Sequence, residues 1–190
     1  TTAADRAHYM IQHYIANGHT HIRTHINVDP HIKTKHIALI KEVLQQYKDQ
    51  ITYEIVAFPQ HGLLRNGEAF LTVIEEALAM GVTPIGGVDP ATMDHDISGV
   101  IKKTFELAEK YGVGIDIHLH DSDTLGAFEI HRIMDAMEAR QYQAPVTISH
   151  AFAIAGIQGT DRDELVERMA KNKVTLTTTV AMGDSPITLP

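Results

Sequence analysis

A chain of 190 residues with 44% apolar and 21% charged side chains can bury one sizeable core, and its composition is that of an ordinary soluble globular protein. Sixteen basic against 24 acidic residues leave a net charge of −8, which argues against a nucleic-acid partner; no run of 18 apolar residues offers a membrane-spanning helix. The absence of cysteine removes disulfides, thiolate metal sites and thiol nucleophiles, and it fits the cytoplasm. Thirteen histidines are many for this length and point toward metal or acid–base chemistry.

Read in order, the chain has one rhythm. Residues 3–17 form an amphipathic helix that ends at Gly18. A β-rich segment follows at 21–28, then a helix over 32–47 with Ile37, Ile40, Val43 and Leu44 on one stripe. The second strand, 51–58, leads to a helix over 68–80 stopped by Gly81. Residues 83–88 are a third strand, and Asp89-Pro90 reads as a turn before a helix over 97–111. Residues 114–120 are a fourth strand, followed by a helix over 125–140. A fifth strand at 145–150, a helix over 161–172 and a sixth strand at 174–180 complete the pattern. Strand ends recur about every 30 residues, the length of a strand plus a crossover helix.

Alternating strands and helices predict a parallel sheet. Polar residues stand at nearly every strand's carboxyl end: Asn27, Asp29, Gln60, His61, Asp89, His118, His120 and His150. In a (β/α)₈ barrel all such ends open into one mouth, whereas an open sheet gives strands far from its switch point no reason to carry them. The expectation is therefore an α/β (β/α)₈ TIM barrel, present in part. Six units correspond to strands two to seven, with residues 1–190 forming one partial catalytic domain. Two open sheet edges make a homo-oligomer an expected partner.

The segment Ile115-Asp116-Ile117-His118-Leu119-His120-Asp121 carries the chemistry. Period-two alternation puts Ile115, Ile117 and Leu119 on one face and Asp116, His118 and His120 on the other. Two imidazoles and a carboxylate on one face suit a metal ion or proton transfer better than packing. Arg23 and Glu54 share the parity of the inward histidines and predict a charged layer beneath the site, or else a salt bridge facing the helices. His19-Thr20-His21 resembles a ligand pair but lies at a strand's amino end, the wrong end for barrel chemistry.

Val56-Ala57-Phe58-Pro59-Gln60 resembles the third-strand motif of cytosine deaminases in the amidohydrolase superfamily. Ile115-Asp116-Ile117-His118 is similar to their fifth strand, Ser149-His150 to their sixth, and Arg23-Thr24-His25-Ile26-Asn27-Val28 to their second. The resemblance implies hydrolysis of a C–N bond, by deamination or dealkylamination, on a pyrimidine- or triazine-like heterocycle. It implies one divalent metal ion, Zn or Fe, of whose four ligands His118 is present here. It places His150 against substrate and nucleophile, and Gln60 on the ring of the substrate. Where the cytosine deaminases carry a proton-shuttling glutamate, this chain has Asp121, with His120 beside it. The His-x-His arrangement on this strand is similar to the branch that removes an alkylamine from a triazine.

Ring C–N hydrolysis needs hydroxide at neutral pH, which a metal supplies by lowering the pKa of its bound water to about 7. The leaving amine then needs a proton from a group within hydrogen-bond reach. His120 and Asp121 are the candidates, and His120 is preferred because it shares the direction of His118. With one of four ligands, the isolated span is expected not to turn over substrate. A non-catalytic binding module is the alternative. A metal-independent aldolase or isomerase barrel fits less well, because no lysine stands at a strand end.

Overall fold

A computed structural model describes residues 2–178. Helix α1 (Ala3–Ala16) opens on a capping box: Thr2 accepts from the Asp5 backbone, and the Asp5 carboxylate accepts from Thr2 N–H at 2.8 Å. It is followed by β1 (His21–Asn27), α2 (Lys35–Gln45), β2 (Thr52–Phe58), α3 (Glu68–Ala79) and β3 (Ile85–Val88). A π-helix (Pro90–Asp94) then leads into α4 (Ile97–Tyr111), β4 (Ile115–Leu119) and α5 (Asp123–Arg140). Strand β5 (Val146–His150), a single turn α6 (Ala153–Gly156), α7 (Gly159–Lys171) and β6 (Thr175–Thr177) complete the described elements. Residues 179–180 of the predicted sixth strand lie outside the described residues.

Three of the departures from expectation have local reasons. Helix α2 starts at Lys35 rather than at 32 because the Asp29 carboxylate captures the His31 and Ile32 N–H groups at 2.7 and 2.8 Å, holding a turn ahead of the helix. Strand β3 starts at Ile85 rather than at 83 because Pro84 has no N–H to give a ladder. The expected turn at Asp89-Pro90 is a correction: Pro90 is the first residue of the π-helix, where its missing N–H costs nothing.

All six strands pair in parallel and strictly in chain order. A doubly wound sheet reverses its order at a switch point, and this one does not. The sheet also curls. Arg23 of β1 donates to Thr147 of β5 at 2.9 Å. Four inter-strand spacings would hold those strands about 19 Å apart in a flat sheet. The architecture is thus part of a (β/α)₈ barrel, with one hydrophobic layer between strands and helices. Ile115, Ile117 and Leu119 of β4 belong to that layer, together with Ile130 and Ile133 of α5.

The interior of the curl is different. Val56, Phe58 and Val88 form a small separate apolar cluster. Gly86 makes room for it, since a Cβ there would sit 2.7 Å from the Phe58 ring. Below lies the predicted charged layer, facing inward and not toward the helices. Arg23 Nε donates to Glu54 at 2.7 Å and its guanidinium to Asp116 at 2.9 Å. Ser149 donates to the other Asp116 oxygen at 3.0 Å. Asp116 is 1% exposed. Burial alone would push its carboxyl up, but His25 at 3.5 Å and the hydrogen bonds from Ser149 and Arg23 outweigh it and hold it below the usual range.

Candidate active site

Strand β4 delivers His118 to the interior two residues above Asp116, as period two requires. Strand β5 does not deliver His150 that way. Thr147 and Ser149 reach the inner charged layer, so simple alternation would turn His150 outward. The backbone corrects this: His150 has φ 73° and Ala151 φ 50°. A non-glycine residue pays for the left-handed region and is found there when its surroundings enforce it. The twist brings His150 Nε2 to 3.3 Å from His118 Nδ1. The His120 ring stacks on His150 with centroids 4.4 Å apart and planes 29° apart.

One donor atom from each of His118, His120 and His150 falls within 4.8 Å of the other two. Neutral imidazoles are good ligands for divalent zinc or iron, so this donor set fits such an ion. Burial, with His25 beside it, lowers His118 to about 4, so at neutral pH the ring is uncharged and one of its nitrogens keeps a free lone pair. A second grouping of His25, Asp116 and His118 meets the same distance limit, but there Asp116 is already committed to Arg23 and Ser149. Phe58 (4.7 Å from the His118 ring) and Phe152 (5.6 Å from the His150 ring) wall the imidazoles on two sides.

The two proton-transfer candidates separate. His120 lies against His150 and leaves 43% of its side chain exposed to the mouth. Asp121 turns back toward the π-helix, accepting from Thr92 Oγ1 at 3.4 Å and standing beside the buried Glu129 of α5. Burial and the nearby Asp89 charge raise the Asp121 carboxyl. Burial pushes Glu129 up to about 8, although one of its oxygens accepts from Ala91 N–H at 2.8 Å. Gln60 sits in the exposed turn after β2, and its side chain makes no hydrogen bond among the described residues. That turn is pinned from below: the Asp94 carboxylate accepts from the Leu63, Leu64 and Arg65 backbones at 2.8–2.9 Å. The decoy pair is accounted for, since His21 pairs with Thr52 and Glu54 at the amino end of β1 and His19 with the Tyr14 carbonyl.

Three residues have a part in the site that the sequence reading did not give them. His25 stands edge-on to His118, with ring centroids 4.4 Å apart, and 3.5 Å from Asp116. Its parity with Arg23 was the available signal. Glu129 shares the helical stripe of Gly126, Ile130 and Ile133, and a lone acid on a core stripe is such a signal too. Asp89 gave only its place at a strand's carboxyl end. It has φ 33°, is 7% exposed, and takes the His120 backbone N–H at 2.6 Å and the His120 Nδ1 at 2.7 Å.

No protein-family model matches the chain. N-isopropylammelide isopropyl amidohydrolase of a Pseudomonas species (strain ADP) is 33% identical over 186 residues, 98% of this chain and 44% of that protein. The crystal structure of N-isopropylammelide isopropylaminohydrolase from Burkholderia multivorans superposes with a TM-score of 0.84 at 35% identity, over 93% of this chain and 44% of that one. The chain belongs to the amidohydrolase superfamily. A further superfamily fold, 5-methylcytosine deaminase from Klebsiella pneumoniae, matches with a TM-score of 0.76 at 23% identity over 93% of this chain and 44% of that one. The chain spans less than half the length of these amidohydrolase relatives.

One pH effect follows from the shielded imidazoles. In the metal-free chain the folded His118 takes a proton only near pH 4, whereas an ordinary histidine does so near 6.5. Between those values the unfolded state binds more protons, so stability falls as the pH drops through the window. His150, lowered by burial and by His120, acts in the same sense. Glu129, held up near 8 by burial, acts in the opposite sense over much of this range, so the histidine effect is read as a difference. The urea midpoint of the parent is expected to fall relative to that of His118→Asn from pH 6.5 toward pH 4. A difference that stays level would show that the imidazole is not shielded.

Proposed function

We propose that the protein carrying this chain hydrolyses a C–N bond on a small pyrimidine- or triazine-like heterocycle, with one Zn²⁺ or Fe²⁺ ion held at His118. The observation that supports this most is the convergence of His118, His120 and His150 on one small volume at the carboxyl ends of β4 and β5. Kinship with an N-isopropylammelide isopropyl amidohydrolase supports the choice of bond.

His118 is the ligand from this chain, its neutral ring ready to donate an electron pair. The ion would supply a water acidic enough to act as nucleophile at neutral pH. The remaining work falls to side chains. His150, 3.3 Å from His118, is placed to orient the attacking water and to donate toward charge developing on the ring. His120 carries the proton to the leaving amine, because it lines the mouth while Asp121 faces Thr92 and Glu129. Gln60, free at the rim, hydrogen-bonds the ring's polar edge and selects the heterocycle. Phe58 and Phe152 exclude water beside the imidazoles.

The test is metal analysis together with amine release from cytosine, ammelide and related amino-heterocycles, using the whole protein. About one divalent ion per chain and release of ammonia or an alkylamine are expected, both lost in His118→Asn. Turnover that survives complete chelation would overturn the metal role. A fully metallated protein that is inert toward the whole panel would overturn the substrate class.

A further inference from the structure

We propose that Asp89 is the positioning residue for His120, locking its imidazole as the Nδ1–H tautomer so that Nε2 presents a lone pair to the mouth. The use made of that lone pair rests on the hydrolytic reading above; the tautomer itself does not.

The geometry is a two-point clamp. Asp89 Oδ1 accepts from the backbone N–H of His120 at 2.6 Å and from that of Asp121 at 3.3 Å. Asp89 Oδ2 lies 2.7 Å from His120 Nδ1. An ionised carboxylate only accepts hydrogen bonds, so the proton of the second contact belongs to the imidazole. With Nδ1 occupied, the neutral ring has its lone pair at Nε2. The first contact fixes the backbone of the residue whose ring the second contact holds, which leaves the ring little freedom to turn away.

Asp89 is itself held in place. Its N–H donates to the His118 carbonyl at 3.0 Å, tying it to β4, and its own carbonyl accepts from Met93 at 2.8 Å inside the π-helix. Its positive φ re-aims a side chain that strand parity would have sent to the helix layer. The end of β3 therefore behaves as the end of β5 does at His150, and two departures from regular strand geometry converge on one imidazole pair.

The substitution that isolates the effect is Asp89→Asn. Asparagine tolerates a positive φ, so the backbone is undisturbed. Its oxygen keeps the two backbone N–H bonds, and turning the amide over would aim NH₂ at two donors. The amide nitrogen therefore faces Nδ1, which must accept, and the proton moves to Nε2. The measurement is two-bond ¹H–¹⁵N NMR of the ¹⁵N-histidine-labelled, metal-free chain, at a pH well above the histidine range, with His120 assigned from His120→Gln. In the unsubstituted chain the expected pattern is a protonated Nδ1 and a bare Nε2, reversed in Asp89→Asn. A His120 already protonated at Nε2 in the unsubstituted chain, or a pattern that Asp89→Asn leaves unchanged, would overturn the proposal. Should Asp89→Asn fail to fold, the pattern in the unsubstituted chain decides alone. A locked tautomer in a protein that hydrolyses none of the heterocycles would retire the hydrolytic reading and leave the role of Asp89 intact.

Discussion

Replacing Arg23 by methionine is expected to cost about 3 kcal/mol of folding stability, the lower end for stripping one partner from a buried ion pair. Asp116 is 1% exposed and accepts from both Arg23 and Ser149, so loss of the guanidinium leaves a carboxylate in the barrel interior with its charge uncompensated. The lower end applies because Arg23 keeps 29% of its side chain in contact with solvent, and both Ser149 and His25 remain beside the carboxylate. Glu54 and Thr147 lose the same partner, but Glu54 is a third exposed and rehydrates readily. The check is urea unfolding of Arg23→Met beside Arg23→Met/Asp116→Asn. The second substitution is expected to recover part of the loss, since a neutral amide is cheaper to bury than an unpaired charge. A single variant within about 1 kcal/mol of the parent would mean that the layer acts as a solvated surface pair.

The largest expected effect on chemistry is that of His118→Asn. Loss of a group that merely supports a ligand costs about 10- to 100-fold in metal affinity. Loss of the ligand itself is expected to exceed that and to take amine release below detection. His118 also touches His25, Phe58, His120 and His150, so the structural cost is measured separately. Asparagine is smaller and leaves the apolar face of β4 untouched, so the far-ultraviolet spectrum and the urea midpoint at neutral pH are expected to stay close to those of the parent. Metal bound as tightly as before, by equilibrium dialysis, would move the ligand role to His120 and His150.

Much of this was open to reading before any coordinates. Strand and helix order follow from hydrophobic periods of two and 3.6, because each element buries one face. The partial barrel followed from polar strand ends, and the strand order and curl agree with it. His118 and Asp116 lie on the inner face because β4 is a regular strand, for which alternation is a geometric necessity, and His120 just past its end keeps the same direction. What periodicity leaves out lies where the backbone leaves regularity. Asp89 and His150, both legible as polar strand ends, reach the mouth through positive φ, which neither residue type announces. The π-helix looked like a turn because proline and aspartate open both. Glu129 and His25 were there to be read from periodicity, yet a buried acid on a helix acquires meaning only when its partners, Ala91 and Asp121, are brought to it from elsewhere in the chain.

The π-helix has three attachments. Asp89 at its start grips His120, Asp94 at its end grips the turn that follows Gln60, and Ala91 between them is anchored by Glu129 of α5. The six residues from Asp89 to Asp94 thus form a yoke between the turn that follows Gln60 and the imidazole of His120. No displacement of that yoke can leave both sides where they were. Under the proposed function, that would couple affinity to turnover mechanically: a change that reshapes the rim there would also retune the acid–base group opposite.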